Sequence, residues 1–107
     1  MRQIKKDRTE EIIHRLVAKF SQENSTPASL ITITRVELSP TGKESKIFFT
    51  TLPEDQEETA LKFLIRKIPE LKKYIRDESR LGLVPRIDFK IDYSERNRQR
   101  LDELSEK

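Results

Sequence analysis

The chain has 107 residues, 22 basic and 19 acidic, with a net charge of +3 and a pI near 9.3. It contains no cysteine and one histidine, His14. That excludes disulfides, thiolate metal sites, a cysteine nucleophile, a histidine triad and any multi-histidine metal centre. No apolar run approaches the ~20 residues of a membrane-spanning helix and the N-terminus is polar, so a soluble cytoplasmic protein with no membrane partner is expected. The apolar share is 34%, low for a globular chain, yet Leu, Ile, Val and Phe together supply 30 residues, enough for a thin core of one domain.

Taken in chain order, residues 3–22 predict an amphipathic helix, because Ile12, Ile13, Leu16, Val17 and Phe20 fall on one stripe. Asp7, Glu10 and Glu11 are expected near its start, where the macrodipole favours negative charge. After the polar break at Asn24–Pro27, SLITITRVEL at 29–38 is rich in β-branched residues and predicts a strand. Ile31 and Ile33 share a parity that Val36 and Leu38 do not, so a bulge near Thr34–Arg35 is expected. SPTGK at 39–43 is a turn with Gly42 available for positive φ, and SKIFFTTL at 45–52 is the second strand of a hairpin. Ile47, Phe49 and Thr51 then point inward, and Lys46, Phe48 and Thr50 outward.

Asp55 with Glu58 three residues on matches a capping box, followed by an apolar stripe at Leu61, Leu64, Ile65 and Ile68. Pro69 cannot continue that helix, whereas Leu71, Tyr74 and Ile75 resume the spacing, so two helices joined by a kink at Lys67–Pro69 are expected. RIDFKIDY at 86–93 alternates, with Ile87, Phe89, Ile91 and Tyr93 inward and Asp88, Lys90 and Asp92 outward, as in a half-buried strand. Ser94 is read as the cap of a short polar helix whose Leu101 and Leu104 pack back on the domain. The expected organisation is one domain over residues 1–107, with its core at about 4–93 and a helical tail at 94–107.

The order α-β-β-α-α-β is that of an α+β, type II KH-like domain, an RNA-binding fold. Its three-stranded sheet is packed on one face by helices, and a short C-terminal helix follows. Four segments in order carry a more specific resemblance: ITITRVELSP (31–40), SKIFFTTLP (45–53), RLGLVPRIDFKID (80–92) and SERNRQRLDEL (94–104). Together they resemble the ribosome-binding factor A family. The resemblance implies a non-catalytic assembly factor that binds the small ribosomal subunit and its rRNA during late maturation and assists rRNA 5′-end processing. It implies no cofactor and no small-molecule substrate, and nothing demands more than a monomer. Two departures stand out. The Gly-x-x-Gly loop of most KH domains is absent, since the only glycines are Gly42 and Gly82. The family's Ala-x-Gly kink would fall near Lys67-Ile68-Pro69, where neither the Ala nor the Gly is present. The chain also closes soon after Leu104, so no longer tail is expected.

Charge is segregated along the chain. Residues 53–59 carry four acidic side chains, whereas residues 60–80 carry seven basic ones against three acidic. The candidate RNA contacts are therefore Lys62, Arg66, Lys67, Lys72, Lys73, Arg76 and Arg80 around the kink, since lysine and arginine neutralise phosphate. The bland reading of that stretch is a solvated helix face. Arg35 and Lys46 on the hairpin and Arg86 beside the last strand are further candidates. Lys90 reads instead as a charge protecting a strand edge. Phe48 is open to base stacking or to packing under a loop, and His14 reads as structural. The acids at 54–58 match no metal-binding loop and complement a helix dipole. A protein–protein adaptor on the same fold is the competing function. An enzyme is poorly supported, because no carboxylates or lysines cluster in a pattern that suggests catalysis and no Gly-rich phosphate loop is present.

Overall fold

Helical spacing and strand alternation each select one buried face, and the computed structural model, which describes residues 2–24 and 30–94, brings those faces together. Helix α1 spans Arg2–Asn24, strand β1 Leu30–Leu38 and strand β2 Glu44–Leu52. A 3₁₀ turn at Glu54–Gln56 leads into α2 (Glu57–Arg66), then α3 (Ile68–Glu78) and strand β3 (Arg86–Ile91). β1 and β2 form an antiparallel hairpin, and Gly42 takes φ +74° in its turn. β3 pairs parallel to β2, as the α2–α3 crossover requires, so β2 is central and the sheet order is β1-β2-β3.

One core results. Ile13, Leu16, Val17 and Phe20 of α1 meet Ile31, Ile33, Val36 and Leu38 of β1, Ile47 and Phe49 of β2, and Ile87 and Phe89 of β3. Ala60 and Leu64 of α2 and Leu71 and Ile75 of α3 complete it. α1 lies over β1 and touches α3, while α2 lies over β3. The inward-facing half of each strand thus meets the helical layer, and Thr32, Arg35, Lys46, Phe48, Asp88 and Lys90 occupy the opposite, outer face.

The bulge is where the parity of the sequence placed it. Ile33 pairs with Phe49 and Arg35 with Phe48, so Thr34 has no partner across the ladder, and both apolar pairs of β1 reach the core. Helix α1 closes the free edge of this strand. His14 Nε2–H donates to the Ile33 carbonyl at 3.0 Å, and a Glu10 carboxylate oxygen accepts the Leu38 N–H at 2.7 Å. Glu10 and His14 are one turn apart on α1, so a single helix face satisfies two backbone groups of an edge strand. His14 is structural, as its sequence context suggested.

Several expectations are corrected. Asp7, Glu10 and Glu11 lie beyond the first turn of α1, which holds no acid, so they do not offset its dipole, and Glu10 serves β1 instead. Asp55 does not cap α2. It sits inside the 3₁₀ turn, one residue too early, and the N-cap is Gln56 with no side-chain bond. Glu57 and Glu58 do occupy the first turn of α2, where its dipole favours them. Ile65 leaves the predicted stripe and is 50% exposed, because the face that packs is centred on Ala60 and Leu64.

β3 ends at Ile91 rather than Tyr93, and the inversion there has a specific cause. Asp92, expected outward, is buried, and Tyr93, expected inward, is exposed. The Asp92 carboxylate accepts the Ser94 N–H at 2.9 Å and the Ser94 hydroxyl at 2.6 Å, and its other oxygen accepts the hydroxyl of Thr34. Ser94 thus donates twice to Asp92, and the helix expected beyond it, with the cap read for it, lies outside the described residues. The unpaired residue of β1 and the chain leaving β3 are tied across the outer face.

Burial alone would raise the Asp92 pKa. The hydrogen bonds from Ser94 and Thr34 and the nearby Arg35 outweigh it, and the net shift is downward. A carboxylate with a depressed folded pKa contributes stability above its unfolded pKa, and that contribution is lost as pH falls through the folded value. Asp92→Asn is therefore expected to lower the urea midpoint at neutral pH, with the deficit shrinking below about pH 4. Urea titrations of both proteins across that range check it.

Candidate nucleic-acid interface

The geometry of the basic segment follows from its hinge. Lys67 alone separates α2 from α3, and its N–H is shared between the Phe63 and Leu64 carbonyls at 3.2 and 3.1 Å. Its own carbonyl already accepts the Leu71 N–H of the next helix at 2.9 Å. Pro69 in the first turn of α3 has no N–H to satisfy, which is the position where a helix tolerates it. The kink expected at Lys67–Pro69 is thus present without either small residue, because proline starts the second helix instead of breaking the first.

Helical spacing then sorts the charges. On α2, Ala60 and Leu64 face the core, which turns Lys62 and Arg66, one turn apart, toward solvent. On α3, Leu71 and Ile75 face inward, so Lys72 and Arg76 share one flank, Glu70 and Asp77 fall on the other, and Lys73 stands between them on the side away from the core. Lys62, Arg66, Lys73, Arg76 and Arg80 are exposed and Lys72 is half-buried. Among the described residues none of these six makes an ion pair. Lys67 differs: it is half-buried at the hinge, 3.5 Å from a Glu70 carboxylate oxygen and 5.7 Å from the centre of the Phe63 ring.

The other three candidates belong to a different surface. Arg35, Lys46 and Arg86 are exposed on the outer face or its lower end, with the sheet between them and the helix pair. There the charges are matched. Arg35 lies 3.6 Å from Glu37, and Lys90 lies 3.6 Å from Asp88 on the edge strand β3. Lys46 stands in register between Glu37 on β1 and Asp88 on β3. Phe48 does not present a free ring, since the Arg35 guanidinium covers it at 4.1 Å from the ring centre. Arg86 is anchored through its backbone, its N–H to the Lys43 carbonyl and its carbonyl accepting the Ser45 hydroxyl at 2.8 Å.

Two residues relevant to this surface escaped the sequence reading. One is Ile65, hidden inside a stripe that looked wholly buried. The other is Asp92, whose position in an alternating run gave no sign of its partner 58 residues away. No helix among the described residues is long and apolar enough to cross a membrane.

The strand order, the one-sided helical layer and the kinked helix pair define a KH-like α+β domain. A family model described as ribosome-binding factor A matches residues 5–105, and the chain belongs to that family. It is similar to ribosome-binding factor A of Coprothermobacter proteolyticus, 33% identical over 100 residues covering 88% of this chain and 70% of that protein. The Coxiella burnetii protein of the same name is 26% identical over 105 residues, covering 96% and 88%. The crystal structure of ribosome-binding factor A from Thermus thermophilus is also similar. It has a TM-score of 0.71 and 28% identity, and the match covers 80% of this chain and 94% of that one.

Because Lys62, Lys73 and Arg76 make no ion pair among the described residues, they carry little of the fold. Lys62→Ala, Lys73→Ala and Arg76→Ala are each expected to change stability by less than about 0.5 kcal/mol. Ile47→Ala, beneath the central strand, is expected to cost about 2–5 kcal/mol. Chemical denaturation of the four variants checks the contrast.

Proposed function

We propose that this protein is a ribosome assembly factor that binds the small ribosomal subunit and its rRNA during late maturation and assists rRNA 5′-end processing. It acts by binding rather than catalysis, as a cytoplasmic monomer, and it uses neither cofactor nor small-molecule substrate. The names of its relatives support the ribosome as partner. The observation that carries the RNA reading is the pair of helices meeting at Lys67, with Lys62, Arg66, Lys72, Lys73, Arg76 and Arg80 around it free of ion pairs among the described residues. An ion-paired cation must give up its partner to reach phosphate, whereas a free one exchanges only water and counterions. Such a surface favours phosphate, and its affinity falls with salt as displaced counterions are released less favourably.

Of the basic residues, Arg35, Lys46 and Arg86 are assigned the smaller part, because they lie across the sheet and beside carboxylates. The neutral outer face suits a protein partner better than RNA, which keeps an adaptor role as the second reading.

The two readings separate in one experiment. Co-sedimentation with free small subunits, large subunits and assembled ribosomes is expected to show selective binding to small subunits that weakens steeply with salt. The triple substitution Lys72→Ala, Lys73→Ala, Arg76→Ala is expected to weaken it by about tenfold or more and to flatten the salt dependence. Unchanged association of the triple variant would point to the adaptor.

A further inference from the structure

Leu30 and Leu52 are 53% and 70% exposed, and they face each other across the first rung of the hairpin. By strand alternation both lie on the outer face of the sheet, with Thr32 and Thr50 paired directly below them. A single exposed leucine is ordinary on a protein surface. Two in cross-strand register form one apolar surface, because side chains paired in this way stand about 5 Å apart. Further down the same face the side chains are charged and matched, Arg35 with Glu37 and Lys90 with Asp88. The apolar rung is thus confined to one end of that face.

The chain leaving β3 is held toward this face. Asp92 is buried, accepts the Thr34 hydroxyl from β1, and binds Ser94 through its N–H at 2.9 Å and its hydroxyl at 2.6 Å. Ser94 is therefore fixed over the outer face, at the level of Thr34. Residues 95–107 follow it and lie outside the described residues. Their only apolar side chains are Leu101 and Leu104, whose spacing puts both on one side of a helix. A helix this short is marginal in water unless its apolar side is packed, so the two leucines need a surface.

The lengths match. From Thr34 to Leu30 is four residues of strand, about 13 Å. From Ser94, Leu101 is seven and Leu104 ten residues along, about 10 and 15 Å of helix. Laid the other way along the sheet, the same helix would set its leucines over Glu37, Lys46 and Asp88. We propose that residues 95–107 dock as a helix on the outer face, with Leu101 and Leu104 against Leu30 and Leu52. A segment tethered at Ser94 is presented to the patch at an effective concentration on the order of millimolar, which favours it over a free ligand. The chain thereby covers its own apolar rung, and a protein partner using that end of the face has to displace the segment. The helix-pair cations take no part, so the docking is independent of RNA binding.

The test uses the full chain. It has no cysteine, so a nitroxide attached at Ser105→Cys reports from one place. The Leu30 and Leu52 methyl resonances are expected to lose most of their intensity to the spin label, while those of Ile65, on the helical side, keep theirs. Adding Leu101→Ser and Leu104→Ser is expected to restore the Leu30 and Leu52 signals at shifted positions and to leave the buried Ile47 methyls where they were. In a mixture of spin-labelled chain without isotopes and isotope-labelled chain without a spin, the Leu30 and Leu52 signals are expected to stay intact.

Full intensity at Leu30 and Leu52 in the spin-labelled chain would overturn the proposal, and so would loss of the Ile65 signals in their place. Broadening that survives the two serine substitutions would show that the leucines do not make the contact. Broadening in the mixture would make the occupant a second copy of the chain, again against docking of the chain's own segment.

Discussion

In β1 two apolar pairs of opposite parity, Ile31 with Ile33 and Val36 with Leu38, reach the same core only if one residue is left out of the ladder. Thr34 is that residue, and the register shift between Ile33 and Arg35 is its trace. The omission leaves local backbone and side-chain groups to be satisfied, and the surroundings are arranged around them. The Ile33 carbonyl is met by His14, which helps hold α1 along the edge of the strand. The Thr34 hydroxyl meets Asp92, which draws the chain leaving β3 toward the outer face. Arg35 comes to lie over Phe48 and near Asp92. Buried polar groups without partners cost more than most single interactions contribute, so these bonds act as constraints on neighbouring segments.

The sheet also divides the charge of the molecule into two regimes. On its outer face, acid and base alternate across the strands: Arg35 is close to Glu37, Lys46 stands between Glu37 and Asp88, and Lys90 is close to Asp88. Exposed pairs of this kind add little stability, but they leave a surface with little net field. On the helical side, Glu70 and Asp77 lie on the flank of α3 away from Lys72 and Arg76, so like charges accumulate on that flank. The overall charge of +3 understates that field, because it averages a neutral face with a basic one.

The hinge shows how one function of a backbone can be met by different chemistry. A tight junction between helices needs either a residue that tolerates close approach or one that begins a helix without needing a donor. Pro69 meets the second condition, and Lys67 closes α2 and opens α3 with the same residue. The result keeps the angle-forming element of the fold while placing a lysine, held between Glu70 and Phe63, at the junction.

Elements whose signal is local were legible in the amino-acid order. The apolar stripe of α1, the bulge, the positive φ at Gly42, the break at Lys67–Pro69 and the alternation at 87–89 all depend on neighbours within a turn or a strand. The clustering of cations between residues 62 and 80 was legible for the same reason. What the order of residues did not disclose depends on distant partners. Glu10 resembled a dipole-compensating acid until Leu38 was placed beside it, and Asp92 resembled an outward strand residue until Thr34 arrived from across the sheet. Ile65 fitted a stripe by spacing, but an apolar face wider than its contact must leave one side chain outside, and only packing decides which. Arg35, Lys46 and Arg86 counted equally with the helix cations in composition, and the sheet placed them on the other side. Periodicity determines which faces exist; the tertiary structure decides what each face meets, because burial and hydrogen-bond satisfaction are settled between segments far apart in the chain.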